Sequence, residues 1–323
     1  MPLIRFLSRS DIEQLGIPVA DVIADLEAAF AAKGRGEVEM PPKPGIHPRP
    51  DAFIHAMPAY VRSRDLAGVK WVAGYPDNPS RGLPYITGLM ILNDPATGLP
   101  LAVMDATWIT AVRTGAATAV AARYLARREA ATLAVLGCGV QARANLDALL
   151  VVQPHLTRVL AYDIRPEAAE AFARYGQSRH GVGVTVCRGP QEAVRGAEII
   201  VTATPILRHP APVVQPDWLR PGAMVCTLDF DAAVTPAAFA AADLLCSDDV
   251  AQLDFYRLDG YFRGVPDRVV DLGEIVAGRA KGRERPDARI ITINLGLALE
   301  DVVTAQRVLE VARAAGVGRD LEL

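Results

Sequence analysis

The stretch TLAVLGCGVQA, residues 132–142, decides the fold. TLAVL is an apolar run without polar alternation, the pattern of a strand buried on both faces. It ends in Gly137-Cys138-Gly139-Val140-Gln141-Ala142, which fits G-x-G-x-x-A, and VQARANLDALLVV follows with helical spacing. The first glycine permits a tight turn and the second lets backbone approach a pyrophosphate. The small Ala142 allows close helix–strand packing. Free N–H groups and the positive end of the helix dipole then hold the phosphates. The next strand, RVLAYDI (158–164), carries Asp163 near its end. That is about twenty residues beyond the motif, where an acid receives the adenosine ribose hydroxyls. Asp163 favours NAD, because the 2′-phosphate of NADP would face a like charge. Arg165 pulls the other way and keeps NADP open.

Outward from this point the pattern repeats. PEAAEAFARYG is helical, GVTVCR is a strand, QEAVRGA is a short helix, and EIIVTAT, GAMVCTLDF, DLLCSDD and RIITINLG are further strands. Strands alternating with helices mean βαβ units and a doubly wound parallel sheet. We place this Rossmann domain at residues 121–295. Thr202-Ala203-Thr204-Pro205 closes EIIVTAT at the carboxyl edge of the sheet, where ligands of such folds bind. The flanks differ. PVADVIADLEAAFAAKGR (18–35) is an amphipathic helix, EMPPKPGIHPRPD is a proline-rich loop, and residues 53–103 are β-rich with a hairpin around Asn93–Gly98. ATWITAVRTGAATAVAARYLAR (106–127) and ALEDVVTAQRVLEVARAAG are helices. The fold class is therefore α/β, with the Rossmann domain inserted in an α+β domain built from residues 1–120 and 296–323.

Composition narrows the function. The 323 residues carry 34 Lys+Arg against 37 Asp+Glu, a net charge of −3. Nucleic acid and anionic membrane both select a basic surface, so neither is the expected partner. No apolar stretch is long enough to span a membrane. Cys138, Cys187, Cys226 and Cys246 lie in or beside apolar runs without a CxxC pair, as buried thiols of a reducing, cytoplasmic compartment do. The five histidines show no zinc-ligand spacing, and no metal is expected.

Only four of the 34 cationic side chains are lysines. A GC-rich genome is the plain cause of such a bias, and against that background a lysine in an unusual setting is a candidate for a position arginine cannot serve. Lys70 stands in the apolar run GVKWVAG, either buried toward a site or on an exposed strand face. A desolvated lysine exchanges protons near neutral pH. Arg113 stands among small apolar residues of a helix and needs an anionic partner, either a substrate or cofactor anion or an internal carboxylate. Lys43 and His55 are further candidates for binding a carboxylate. Asp229 and Asp231, in TLDFD, end a strand at the ligand edge, where a carboxylate can hold an ammonium and shuttle a proton. Asp231 alternatively caps the helix that follows.

Together these segments resemble the ornithine cyclodeaminase/mu-crystallin family. The resemblance runs through MPPK (40–43), AMPAY (56–60), GVKWV (68–72), NPSRGLP (78–84), LMILNDPATGLPLAVMDATWITAVRTGAA (89–117), ARYLAR (122–127), GCGVQA, TATP and GLALEDV (296–302). The part from Gly68 to Arg127 is most similar to archaeal alanine dehydrogenases. The resemblance implies a homodimer formed through the substrate domain. It implies Lys70 and Arg113 at the substrate carboxylate, with Arg113 also near the cofactor phosphate, and Lys43, His55 and Leu295 as further substrate contacts. Thr114, Gly137, Gly139, Val140, Gln141, Ala142, Asp163, Arg165, Thr202, Thr204 and Leu228 become cofactor contacts, and Asp231 the general acid/base.

This chain departs from the family where Gly-Ser-Asp or Gly-Ala-Asp is usual. It has Asp229-Phe230-Asp231, and the lysine that usually follows is gone. The implied activity is an NAD(H)-linked oxidoreductase interconverting a small L-amino acid with its 2-imino or 2-oxo acid, taking up or releasing ammonia or an amine. A positively charged His55 would add affinity for a second carboxylate. The alternatives are an ornithine cyclodeaminase-type lyase using catalytic NAD and a non-catalytic nucleotide-binding protein of the mu-crystallin kind.

Overall fold

The computed structural model describes residues 3–323 and divides into two compact units. One comprises residues up to Arg113 together with Leu297–Leu323, and the other is Thr114–Gly296. The division falls inside a helix, at Arg113/Thr114, seven residues before the 120/121 boundary read from the sequence.

The first unit holds an eight-stranded sheet. Its strands are β1 (Leu3–Leu7), β2 (Val38–Glu39), β3 (Gly45–Ile46), β4 (Phe53–Val61), β5 (Leu66–Gly74), β6 (Ile86–Asn93), β7 (Pro100–Asp105) and the C-terminal β16 (Arg319–Glu322). Their order is β16-β1-β7-β6-β5-β4-β2, with β3 also on β4. The short strand β3 lies in the segment read as a proline loop, and β2 ends at that segment's first residue. The N-terminal residues also gain a strand that their sequence did not advertise. β1 runs parallel to β7 and antiparallel to β16, so both chain ends join one sheet.

Two long helices belong to this unit, α2 (Val19–Gly34) and α10 (Ala298–Ala315). α10 packs on β4, β5, β6 and α2. Its first turns are buried all round, from Leu299 through Ala305, the mark of a helix inside a core. β5 shows the period-2 rule plainly. Leu66, Gly68, Lys70, Val72 and Gly74 face inward, while Trp71 faces out and is exposed. A lysine on the inward set is what draws attention to this strand.

The second unit is a parallel sheet of β8 (Thr132–Leu136), β9 (Arg158–Tyr162), β10 (Val184–Val186), β11 (Ile199–Thr202), β12 (Met224–Thr227), β13 (Leu244–Ser247), β14 (Val269–Asp271) and β15 (Ile290–Ile293). Their order is β10-β9-β8-β11-β12-β15-β13-β14. The order reverses between β8 and β11, the switch point at which ligands bind at the carboxyl edge. Helices α4 (Val140–Val152) and α5 (Pro166–His180) follow the first two strands. All four cysteines are buried, and none is in a disulfide among the described residues. Among the described residues no helix is long and apolar enough to cross a membrane.

Candidate active site

In the second unit the glycine motif forms the turn between β8 and α4. Gly137 has φ +89°, and a Cβ there would lie 2.5 Å from the Ala203 carbonyl oxygen, so only glycine fits. Gly139 caps α4 without any side-chain cap bond. A Cβ built on it meets nothing within 4 Å, so the space over the helix N-terminus is open to a phosphate. Asp163 accepts from the Cys138 backbone N–H at 2.8 Å and the Arg165 N–H at 2.9 Å, which fixes its carboxylate beside the loop. Arg165 itself is exposed, with its Nε 3.7 Å from Asp163. Val140 and Ile164 are exposed apolar side chains of the same rim, 67% and 85% accessible. Sequence reading passed over Ile164. Its position directly after Asp163 was the available signal. Glycines, uncapped helix, acid and apolar rim fit an adenine dinucleotide.

The next edge over is built from β11 and β12. Thr202 is fully buried, and its hydroxyl donates to Asp229 at 2.5 Å. It therefore supports the edge from inside and does not face a ligand. Thr204 is part-exposed; its hydroxyl donates to Asp229 at 2.6 Å. Leu228 is half-buried, with its N–H on the Thr202 carbonyl. The two acids of TLDFD separate. Asp229 is wholly buried, while Asp231 lines a cavity of about 290 Å³ with Tyr261, Phe239 and Val265. Asp231 accepts from the Phe262 N–H at 2.8 Å, and burial raises its pKa. Phe230 and Phe262 both hold positive φ, +61° and +57°. Each such residue costs on the order of 1 kcal/mol or more and persists only when packing enforces it. Here Phe230, Tyr256, Tyr261 and Phe262 form one aromatic cluster around the acid.

In the first unit Lys70 is buried, 1% accessible. Its Nζ lies 2.7 Å from Asp301 and 3.4 Å from the Thr110 hydroxyl. Arg113, on α3 (Thr107–Leu125), contacts Glu300 at 2.6 Å and Asp301 at 3.0 Å. The anionic partners of Arg113 in this structure are thus two carboxylates of α10. Both were missed as site residues, although Glu300-Asp301 in the apolar GLALEDVV was the signal. Burial, then the nearby Arg113, push the Lys70 pKa down to about 7, against the raising effect of Asp301. Lys43, also buried, adds to that depression. Burial raises Glu300.

His55 is stacked on Phe53 with centroids 4.4 Å apart, and its ring occupies the space a Cβ on Gly45 would need. Burial, then Lys43, His47 and Lys70, push its pKa down to about 3. So depressed a pKa does not meet the condition set for a second carboxylate, a positive charge on His55. Leu295 and Thr114 fall in the second unit, Leu295 buried and Thr114 partly so.

The profile of the ornithine cyclodeaminase/mu-crystallin family matches residues 5–316. The chain is 35% identical over 325 residues to the alanine dehydrogenase of Archaeoglobus fulgidus, spanning 98% of this chain and 97% of that protein. The structure of Thermococcus litoralis Δ1-pyrroline-2-carboxylate reductase in complex with NADH and L-proline is similar at a TM-score of 0.90 and 33% identity, covering 98% of this chain and all of that one. An archaeal alanine dehydrogenase dimer with bound NAD gives 0.88 at 34% identity over the full length of both chains. With a family match over nearly its whole length, this chain belongs to the ornithine cyclodeaminase/mu-crystallin family.

Proposed function

We propose that the protein is an NAD(H)-dependent oxidoreductase that interconverts a small L-amino acid and its 2-imino or 2-oxo acid. The observation that carries this reading is Lys70. An ammonium buried on the inner face of β5, with Arg113 and Lys43 close enough to depress it, stores cation–cation repulsion. A bound carboxylate relieves that repulsion and restores the charge on Lys70. Arg113 supplies a guanidinium already oriented by Glu300 and Asp301.

The second unit binds the dinucleotide: Gly137, Gly139, Val140, Gln141 and Ala142 at the pyrophosphate, and Asp163 at the adenosine ribose. The bound nicotinamide supplies or accepts the hydride at its C4. Asp231 gives or takes the proton at the substrate nitrogen, since it lines a cavity whereas Asp229 is fully shielded. In the reductive direction a 2-oxo acid and ammonia or an amine lose water to give the imine, which then takes up the hydride at Cα and the proton at nitrogen. We also assign a homodimer formed through the outer face of the first sheet, where Trp71 and Leu89 are exposed on paired strands. The dimeric state of the similar alanine dehydrogenase structure supports the dimer, and the exposed pair is what points to this face.

The test is NADH consumption with pyruvate, glyoxylate and oxaloacetate plus ammonia or methylamine, with NADPH as control. Amine-dependent oxidation with NADH preferred is the expected result. No oxidation with any acceptor, together with ammonia release from ornithine at catalytic NAD, would replace this reading with a lyase.

A further inference from the structure

Asp229 is a buried carboxylate that the proposed chemistry does not use. It is 0% accessible and sits where β12 ends. Three donors converge on it. Thr202 Oγ1 reaches one oxygen at 2.5 Å, while Thr204 Oγ1 and the Thr204 N–H reach the other at 2.6 and 3.2 Å. These bonds tie the end of β12 to the end of β11, strands that are already neighbours in the sheet. The peptide so held is the one under the glycine turn, because the Ala203 carbonyl lies where a Cβ on Gly137 would go.

The bonds also fix a polarity. A threonine hydroxyl has one proton and two lone pairs. When the Thr204 proton is spent on a carboxylate, its oxygen offers only lone pairs to anything outside. A phosphate or carboxylate oxygen finds no donor there, whereas a ribose hydroxyl or an amide N–H does.

We propose that Asp229 is a positioning residue of the dinucleotide pocket: it sets the Ala203–Thr204 peptide beneath the Gly137 turn and makes Thr204 an obligate acceptor for a hydroxyl or amide donor of the cofactor. This rests on the dinucleotide reading of the second unit. Asp229 takes no part in proton transfer, which remains with Asp231. The arrangement works against stability. Burial pushes the Asp229 pKa up to about 6, so at neutral pH the fold carries an ionised carboxylate that it would hold more easily protonated.

The experiment is NADH fluorescence titration of the full chain at pH 8, with melting temperatures alongside. Asp229→Leu is the main variant, since it keeps volume, accepts no hydrogen bond and frees the Thr204 proton. We expect the NADH Kd to rise tenfold or more and kcat at saturating NADH to stay within about threefold. Asp229→Asn is the control: both Thr204 donors share one carboxylate oxygen, so the amide oxygen takes that place, the NH2 turns to the Thr202 hydroxyl, and Thr204 keeps its acceptor face. Its Kd should stay within about threefold of wild type and its melting temperature should not fall. Thr204→Val, which keeps shape and removes the acceptor, should weaken NADH to a similar extent as Asp229→Leu. An unchanged Kd in Asp229→Leu or Thr204→Val, or an equal loss in Asp229→Asn, would overturn the proposal. So would a Kd loss in Asp229→Leu accompanied by a similar fall in kcat, which is the behaviour of a merely structural residue. Failure of the wild-type protein to bind NADH at all would remove the dinucleotide reading itself, a result visible before any variant is made.

Discussion

Lys70 Nζ and Asp301 Oδ2 are 2.7 Å apart, and both side chains are almost completely shielded from water. Removing one partner of such a pair ordinarily costs about 3–5 kcal/mol, because a buried charge is left uncompensated. Here the ammonium has another way out. With its pKa already down to about 7, Lys70 can shed its proton once Asp301 no longer raises it. Releasing a proton near pH 7 costs under about 1 kcal/mol for a group within half a unit of that pH. Asp301→Asn is therefore expected to fold, with a melting temperature within a few degrees of wild type. Its defect should be functional: a neutral Lys70 no longer attracts a carboxylate. We expect the substrate KM to rise tenfold or more at pH 8 and the NADH Kd to stay unchanged. An unaltered KM would show that the charge on Lys70 does not serve binding.

The same pKa fixes a pH dependence. Lys70 is protonated below about 7 and neutral above it. A carboxylate prefers the protonated form, so affinity should fall as pH rises through 7, approaching tenfold per unit. Above pH 7, binding should also take up a proton from solution. Calorimetry with lactate as a simple monocarboxylate, repeated in buffers of different ionisation enthalpy, measures both. Lys70→Arg should abolish this limb, since a guanidinium stays charged throughout. His55 contributes nothing to the profile between pH 5 and 8, because its depressed pKa, about 3, keeps it neutral there. Persistence of the limb in Lys70→Arg would assign it to another group.

Legibility in the sequence followed the range of the interaction. The TLAVLGCGVQA turn is local, and period, glycines and helix start agree within eleven residues. Lys70 was legible as an anomaly, a lysine in an apolar strand. Its partner was not, because Lys70 and Asp301 meet only after the C-terminal helix returns to the first sheet. For the same reason Arg113 could be said to need an anion, but not that Glu300 and Asp301 supply one. The roles of Asp229 and Asp231 were likewise open. Two residues apart at a strand end, they differ only in which side the backbone turns them to, and the positive φ of Phe230 between them has no sequence signature. His55 shows the converse case: its type offers a charge, while burial, Lys43, His47 and Lys70 withhold it.

The outer face of the first sheet gives the last prediction. Trp71 and Leu89 sit directly opposite one another on β5 and β6, 51% and 47% accessible, beside Ala73, Thr87 and Asp105 around a cavity of about 490 Å³. Large apolar side chains grouped on one exposed sheet face offer a surface for association, and the inward partners of the same strands are little affected by changes here because alternate residues face opposite ways. A stable interface needs roughly 1,200–2,000 Å² in total, within reach of an eight-stranded face. Light scattering on the wild-type protein should give twice the monomer mass. Trp71→Glu and Leu89→Glu each place a charge where a second copy would have to bury it, a cost of several kcal/mol without a partner. Both should shift the protein to monomer at micromolar concentration while leaving NADH affinity intact. A dimer that survives both substitutions would place the interface elsewhere on the chain.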